Sequence, residues 1–132
     1  MIIDYIPFTR VATFYLGNNI SLYKYTYDFL FEPCDDKTGW DGYSLDEYGI
    51  VIYTDVLGVI ESISCDKSFV FRGKEIINMS IMNFINTFDI SNIPDPDSID
   101  MSENEVQNVY EVDEVGLQIW CLDDVITTVI AS

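Results

Sequence analysis

Carboxylates are the most abundant side chains in this sequence that could do polar chemistry. The 132 residues include 23 Asp and Glu, six Lys and Arg, and no histidine. A closely spaced pair of carboxylates could act as general acid and base, as in glycosidases. Without histidine there is no Ser/His/Asp or Cys/His arrangement, and the glycine motifs that cradle phosphates or dinucleotides are absent. With 23 acidic residues, some carboxylates are expected to lie close together by chance, so a close pair is weak evidence for an enzyme. The sequence therefore favours a non-enzymatic protein, with a small hydrolase as an alternative.

The acids concentrate in two polar segments, 32–48 and 89–107, and in a turn near residue 113. Their spacing does not match a calcium-binding loop, which places ligands at alternate positions around a central glycine. We therefore predict no metal or cofactor. We predict instead a partner-binding surface. Its candidate residues are Asp35, Asp36, Trp40, Asp41, Asp95, Asp97, Asp100, Glu103, Glu105, Tyr110, Asp113 and Glu114.

The net charge of −17 is unevenly distributed along the chain. Every basic residue lies at or before Lys74, so residues 75–132 carry twelve acids and no base. Such a surface is either a solvated face or one made to meet a basic protein. It argues against direct binding to DNA, RNA or an anionic membrane, because phosphate backbones are bound largely by cationic side chains.

The elements that must position these acids are mainly β-strands. Gly49 to Phe71 reads as three short strands with turns at Asp55–Gly58 and at Asp66–Lys67. Its first two strands are echoed by Gly116 to Val129. Two hairpins that face the same kind of core would give this likeness, and two copies are fewer than a repeat array needs.

Further strands are predicted at 20–31, where aromatic residues alternate from Tyr23 to Phe31, and at 108–112. Gly116–Leu122 and Val125–Ala131 form a closing hairpin. A helix is predicted over Ile81–Phe88 with Ser80 as its N-cap, and segments 32–48 and 89–107 are predicted loops, the first with a helical turn after Ser44. We therefore expect one domain over 1–132. Its fold class is α+β: a mainly antiparallel sheet of about six or seven strands with one main helix packed on it.

Three features bear on location. The longest apolar run falls well short of the ~20 residues of a membrane span, and the N-terminal segment is acidic where a signal peptide would be basic. Three widely spaced cysteines, Cys34, Cys65 and Cys121, do not suggest a disulfide framework. The expectation is a cytoplasmic protein.

Five stretches carry a resemblance to a known family. They are Gly49-Ile-Val-Ile-Tyr, Asp66-Lys-Ser-Phe-Val-Phe-Arg-Gly-Lys, Ile76-Ile-Asn-Met-Ser, Val109-Tyr-Glu-Val and Gly116-Leu-Gln-Ile-Trp. Their strand texture, over roughly residues 48–132, resembles small bacterial immunity proteins of polymorphic toxin systems, of the contact-dependent growth inhibition type. The resemblance implies a cytoplasmic antitoxin that binds and neutralises a cognate toxin C-terminal domain, a basic protein and often a nuclease. It assigns no binding residue. An acidic module for another basic partner, such as a DNA-mimic regulator, is the other binding interpretation.

Overall fold

The computed structural model describes residues 1–33, 39–91, 93–102 and 105–132. Within these ranges the chain forms thirteen strands and one α-helix, α1 (Ile81–Phe88). The strands are β1 (Asp4–Ile6), β2 (Arg10–Val11), β3 (Phe14–Tyr15), β4 (Leu30–Glu32), β5 (Asp41–Leu45), β6 (Ile50–Thr54), β7 (Ile60–Cys65), β8 (Val70–Phe71), β9 (Lys74–Glu75), β10 (Asp97–Ser102), β11 (Glu105–Val112), β12 (Leu117–Leu122) and β13 (Val125–Ala131). Three short 3₁₀ turns lie at Ile20–Leu22, Asp46–Tyr48 and Asp113–Val115.

Two sheets, and not one, make up the fold. The small sheet has five strands in the order β3-β2-β1-β8-β9, and the large sheet has eight in the order β10-β11-β12-β13-β7-β6-β5-β4. The expected α+β fold with a single sheet of six or seven strands is therefore wrong: the protein is predominantly β. The prediction failed because several strands are only two or three residues long, which is too short to show a two-residue period in the sequence.

The core lies between the large sheet and the layer formed by the small sheet and α1. Alternate residues of β6, β7, β12 and β13 face this core and are almost fully buried, as Ile52, Ile63, Ile119 and Val129 show. They share one core cluster with the small-sheet and helix residues. We call this side of the large sheet the inner face and the opposite side the outer face.

The large sheet is built from two similar units, which we call the first repeat (residues 10–66) and the second repeat (70–132). In the first, β5 leads through a 3₁₀ turn and Gly49 into β6 and β7. In the second, β11 leads through a 3₁₀ turn and Gly116 into β12 and β13. Gly49 and Gly116 have nearly the same left-handed φ, 65° and 67°. Both hairpins also contain a β-bulge at the same place, after Tyr53 and after Trp120.

The likeness extends to the N-terminal part of each repeat. The hairpin β2–β3 corresponds to β8–β9, and each closes with a matching backbone hydrogen bond, Leu16 N to Thr9 O and Ile76 N to Phe69 O. A short segment then bridges to the start of the last strand, at Asn19↔Val59 and at Ser80↔Val125. Asn19 and Ser80, which occupy equivalent positions in these segments, each cap the helical turn that follows. The echo between the two hairpins is thus part of a likeness that spans most of the chain.

The two repeats join through their last strands. Strands β7 and β13 run antiparallel and pair as Cys65↔Val129, Ser64↔Ile130 and Ile63↔Ala131. Cys65, Ser64 and Ile63 of the first repeat are equivalent to Ala131, Ile130 and Val129 of the second. Exchanging the two repeats therefore converts the Cys65–Val129 pair into the Ile63–Ala131 pair and leaves the Ser64–Ile130 pair unchanged. The large sheet therefore has a pseudo-two-fold axis at the Ser64–Ile130 pair, and β13 is internal to the sheet.

Several predicted elements are confirmed. The helix spans Ile81–Phe88, and the side chain of Ser80 caps it by accepting a hydrogen bond from Asn83 N at 3.1 Å. The closing hairpin has the predicted bounds on its second strand. It turns at Asp123 and Asp124, which both adopt positive φ.

Three predicted elements are wrong. Residues 20–31 are not one strand: they form a 3₁₀ turn, further turns and only the three-residue β4. The predicted loops are also partly strand, because β5 lies within 32–48, and β10 and the start of β11 lie within 89–107. The helical turn after Ser44 is present at Asp46–Tyr48, but no side chain caps it.

Candidate protein-binding face

The small sheet and α1 cover the inner face of the large sheet and leave its outer face uncovered. Strand register places Val51 opposite Ser64, Tyr53 opposite Ser62, and Gln118 opposite Ile130 on this side. Most of its side chains are only half-buried, and Val109, although buried, lies outside the core cluster. This face is therefore available to a partner.

Charge on the outer face has one sign throughout the part of the chain that the structure describes. Glu32, Asp97, Glu105 and Glu111 lie on it, and no Lys or Arg does. The described cations lie elsewhere. Arg10 is paired with Asp4 at 2.9 Å, Lys24 lies over the ring of Tyr43, Lys67 donates to Asp46 O, and Arg72 and Lys74 belong to the β8–β9 hairpin.

A groove with a volume of about 560 Å³ crosses this face where the two repeats meet. Glu32, Trp40 and Tyr53 line it from the first repeat, and Glu111 and Asp113 from the second. The rings of Trp40 and Tyr53 lie with their centroids 6.2 Å apart and their planes inclined at 36°. Burial raises the pKa of Tyr53, and the nearby carboxylate of Glu32 raises it further. The groove therefore combines an aromatic wall with three carboxylates.

A difference between the repeats accounts for the depth of this groove. Gly42 lies opposite Tyr53 in the first repeat, whereas Val109 lies opposite Trp120 in the second. The next strand has Ser62 in the first repeat and the larger Thr128 in the second. Small side chains thus leave a hollow in the first repeat at positions that larger ones fill in the second.

Hydrogen bonds hold the polar side chains of the second repeat in fixed positions. Trp120 Nε1 donates to Gln118 Oε1 at 2.8 Å, and Gln118 Nε2 donates to Glu111 Oε1 at 2.6 Å. The chain of bonds ends on a carboxylate at the rim of the groove. Because Gln118 is anchored at both ends, Glu111 presents its charge with little freedom to turn away.

The predicted partner-binding residues do not form one cluster. Trp40 and Asp113 line the groove, and Asp97 and Glu105 lie on the outer face beyond it. The other eight lie elsewhere. Asp100 is exposed on the edge strand β10 and Asp95 is exposed just before it. Glu114 accepts a hydrogen bond from Ser91 N, and Asp41 and Tyr110 lie on the inner side. Asp35, Asp36 and Glu103 lie outside the described residues.

Sequence reasoning missed the residues that give the groove its character. Glu32, Tyr53, Glu111 and Gln118 were not among the candidates, although all four line it. The alternation of Ile50–Thr54 and Leu117–Leu122 contained a usable signal, because it places Tyr53 and Gln118 on the face opposite the buried isoleucines. What the sequence could not show was that the two hairpins lie side by side.

The described residues offer little for acid–base or thiol chemistry. No carboxylate among them is buried, so they contain no buried, closely spaced pair of the kind that would favour the hydrolase alternative. Burial raises the pKa of both Cys65 and Cys121 to about 12, so these thiols stay protonated and unreactive at neutral pH. The described chain also holds no group of three or more His, Cys, Asp or Glu able to bind a metal.

Comparison with protein-family models, with curated proteins and with solved structures finds no match to this chain. No helix in the described ranges is long and apolar enough to cross a membrane.

Proposed function

We propose that this protein is a non-enzymatic binding protein that recognises a basic protein partner through the outer face of its large sheet. In its specific form the proposal is an immunity protein, which neutralises a cognate basic toxin domain such as a nuclease. The observation that carries it is the composition of the outer face, whose described residues include carboxylates and aromatic side chains but no Lys or Arg.

Electrostatics supports a protein partner of opposite charge. A net charge of −17 attracts a basic protein at long range, and steering of this kind raises association rates above the usual ~10⁵–10⁶ M⁻¹s⁻¹. Nucleic acid and anionic lipid carry the wrong charge for this surface. Basic nucleases suit it because they must carry cations in order to hold phosphates.

The composition of the face also suits a protein interface. Trp40, Tyr53 and Trp120 lie half-buried on or beside it, and such aromatic side chains supply much of the energy at protein interfaces. Carboxylates at the rim set the orientation of a charged partner and exclude partners of like charge.

The test is co-expression with the protein encoded immediately upstream, followed by growth assays and purification of the complex. We expect this chain to protect cells from the upstream protein's C-terminal domain. We also expect the association rate of the purified pair to fall steeply as salt is raised, because the steering is screened.

Two charge-reversal variants locate the interface. Glu32→Lys with Glu111→Lys should slow association and abolish protection. Glu47→Lys with Asp66→Lys makes the same change in charge at exposed positions outside the groove and should retain protection. Failure of the wild-type chain to bind or protect against the upstream protein, at low salt as well as high, contradicts the proposal.

A further inference from the structure

The groove between the repeats has a shape and charge suited to one kind of side chain. We infer that it is a pocket for an arginine side chain of the basic partner, an inference that rests on the function proposed above. Three features of the groove point to arginine: the aromatic wall, the carboxylates and the hollow at Gly42.

The aromatic wall favours a flat cation. A guanidinium stacks on aromatic faces, and tryptophan is the best ring for a cation–π contact. Trp40 and Tyr53 line the groove together. A lysine ammonium would gain less here, because it is a compact, strongly hydrated charge without a flat surface to stack.

The carboxylates supply the matching acceptors. Glu32 lies on the first-repeat side, close enough to raise the pKa of Tyr53, and Glu111 lies on the second-repeat side. Neither forms an ion pair with a cation of the described chain. A guanidinium has five N–H donors in a fixed plane, so it can bond carboxylates on both sides of the groove at once.

The hollow at Gly42 provides room for the side chain. A Cβ built on Gly42 would come no closer than 3.5 Å to its nearest neighbour, Glu32 Cβ, which is ordinary contact. The backbone there is not in the left-handed region. Neither the backbone conformation nor the space around this position therefore requires a glycine, and the missing side chain leaves the groove open.

Binding of a blocked Gly-Arg-Gly peptide, followed by NMR through the indole N–H of Trp40, tests the inference. Gly-citrulline-Gly, which has the same shape without the charge, and Gly-Lys-Gly serve as matched probes. We expect saturable shifts with the arginine peptide, none with citrulline, and weaker binding with lysine.

Three variants make the test specific. Gly42→Val fills the hollow as Val109 does in the second repeat and should weaken arginine binding roughly tenfold or more without changing charge. Glu32→Gln should weaken it roughly tenfold, because it removes a charged acceptor. Asp97→Asn removes one charge at the equivalent position of the second repeat, outside the groove, and should change the dissociation constant less than about twofold.

The outcomes separate this inference from the proposed function. If Asp97→Asn weakens binding as much as Glu32→Gln, or if Gly42→Val has no effect, attraction is spread over the surface and the pocket is refuted. Capture of the upstream partner would then still support the proposed function. Arginine binding in the groove together with no protection by the chain would instead support the pocket and contradict the immunity function.

Discussion

Strands β6 and β12 occupy equivalent places in the two repeats and bury the same three positions. Ile50, Ile52 and Thr54 face the core in the first repeat, and Leu117, Ile119 and Cys121 face it in the second. Of the two intervening outer positions, one is aromatic in both repeats, Tyr53 and Trp120, and the other differs in character, with Val51 in the first and Gln118 in the second. Packing constrains the inner face of both repeats to small or branched side chains. The outer face has no such constraint, so its residues can differ between repeats and can be adapted to a partner.

The helical segments of the two repeats share a sequence pattern but differ in structure. Ile20, Tyr23 and Tyr27 have the same spacing as Ile81, Phe84 and Phe88. The second repeat forms an eight-residue helix there, whereas the first forms a 3₁₀ turn followed by irregular turns. Phe84 is fully buried, whereas Tyr23 is half-buried. The second repeat therefore obtains more of its packing from this segment.

The largest expected effect comes from this difference in packing. Phe84→Ala should lower the free energy of unfolding by about 3–5 kcal/mol, because it leaves a large cavity in the core beside the rings of Phe71 and Phe88. Tyr23→Ala should cost clearly less, since its ring is partly in water. Urea denaturation of the two variants measures both values. Equal losses would show that the two segments contribute equally and would contradict this part of the comparison.

A second difference lies in what supports the two glycine turns. In the second repeat, Tyr5 Oη donates to Val115 O at 2.6 Å from a buried position. In the first, the exposed Lys67 Nζ donates to Asp46 O at 2.9 Å. Tyr5→Phe leaves a carbonyl unpaired and should cost about 1–3 kcal/mol.

Lys67→Met is the matched variant and should change stability by less than about 0.5 kcal/mol. Thermal unfolding of the pair measures the difference. A larger loss of stability for Lys67→Met than for Tyr5→Phe would contradict this prediction, because it would show that the turn before Gly49 depends more on its side-chain hydrogen bond than the turn before Gly116 does.

The helix caps provide a smaller test. Ser80→Ala removes the bond to Asn83 N and should cost about 1 kcal/mol. Asn19→Ala should cost at least as much although it caps a shorter helical turn, because Asn19 also donates to Leu57 O at 2.9 Å and so links that turn to the β6–β7 hairpin. Ser80→Thr keeps the hydroxyl acceptor and should therefore retain most of the stability that Ser80→Ala loses.

The smallest effect at neutral pH concerns Cys65, which corresponds to Ala131 in the second repeat. Burial raises the pKa of Cys65 from 9.0 to about 12. Between these values the unfolded chain loses a proton that the folded chain keeps, so stability is fully present below pH 9 and falls as the pH rises towards 12. Cys65→Ala should reduce the steepness of this fall. Denaturation curves at pH 8 and pH 11 measure the change, and identical pH dependence in both proteins would contradict it.

Local signals predicted the elements that carry a full period in the sequence. The helix at Ile81–Phe88 has apolar residues at helical spacing and an N-cap, and the hairpin ending at Ala131 has two largely apolar runs separated by the turn residues Asp123 and Asp124. Residues 20–31 failed because Tyr23 and Tyr27 are four apart, a spacing that fits both a strand face and a helix face. The five alternating aromatic residues from Tyr23 to Phe31 predict one strand face, but Tyr25 is fully exposed.

The groove could not be predicted because it depends on contact between distant residues. Glu32 and Glu111 line the same groove although they are far apart in sequence, and they meet only because β7 pairs with β13. The candidate list instead followed acid-rich segments, which identify where charge is dense and not which charges face one surface. Only Trp40 and Asp113 are both predicted partner-binding residues and residues that line the groove.

The junction of β7 with β13 has a consequence for synthesis on the ribosome. The strand that closes the edge of β7 lies more than 60 residues further along the chain. At a translation rate of roughly 5–20 residues per second, the first repeat must wait about 3–13 s for that strand. During this interval β7 presents unpaired N–H and C=O groups, which makes the nascent chain prone to pairing with another copy of itself. Glu61, Ser62 and Ser64 place polar side chains on that exposed strand, which would keep such an intermediate in solution until β13 emerges.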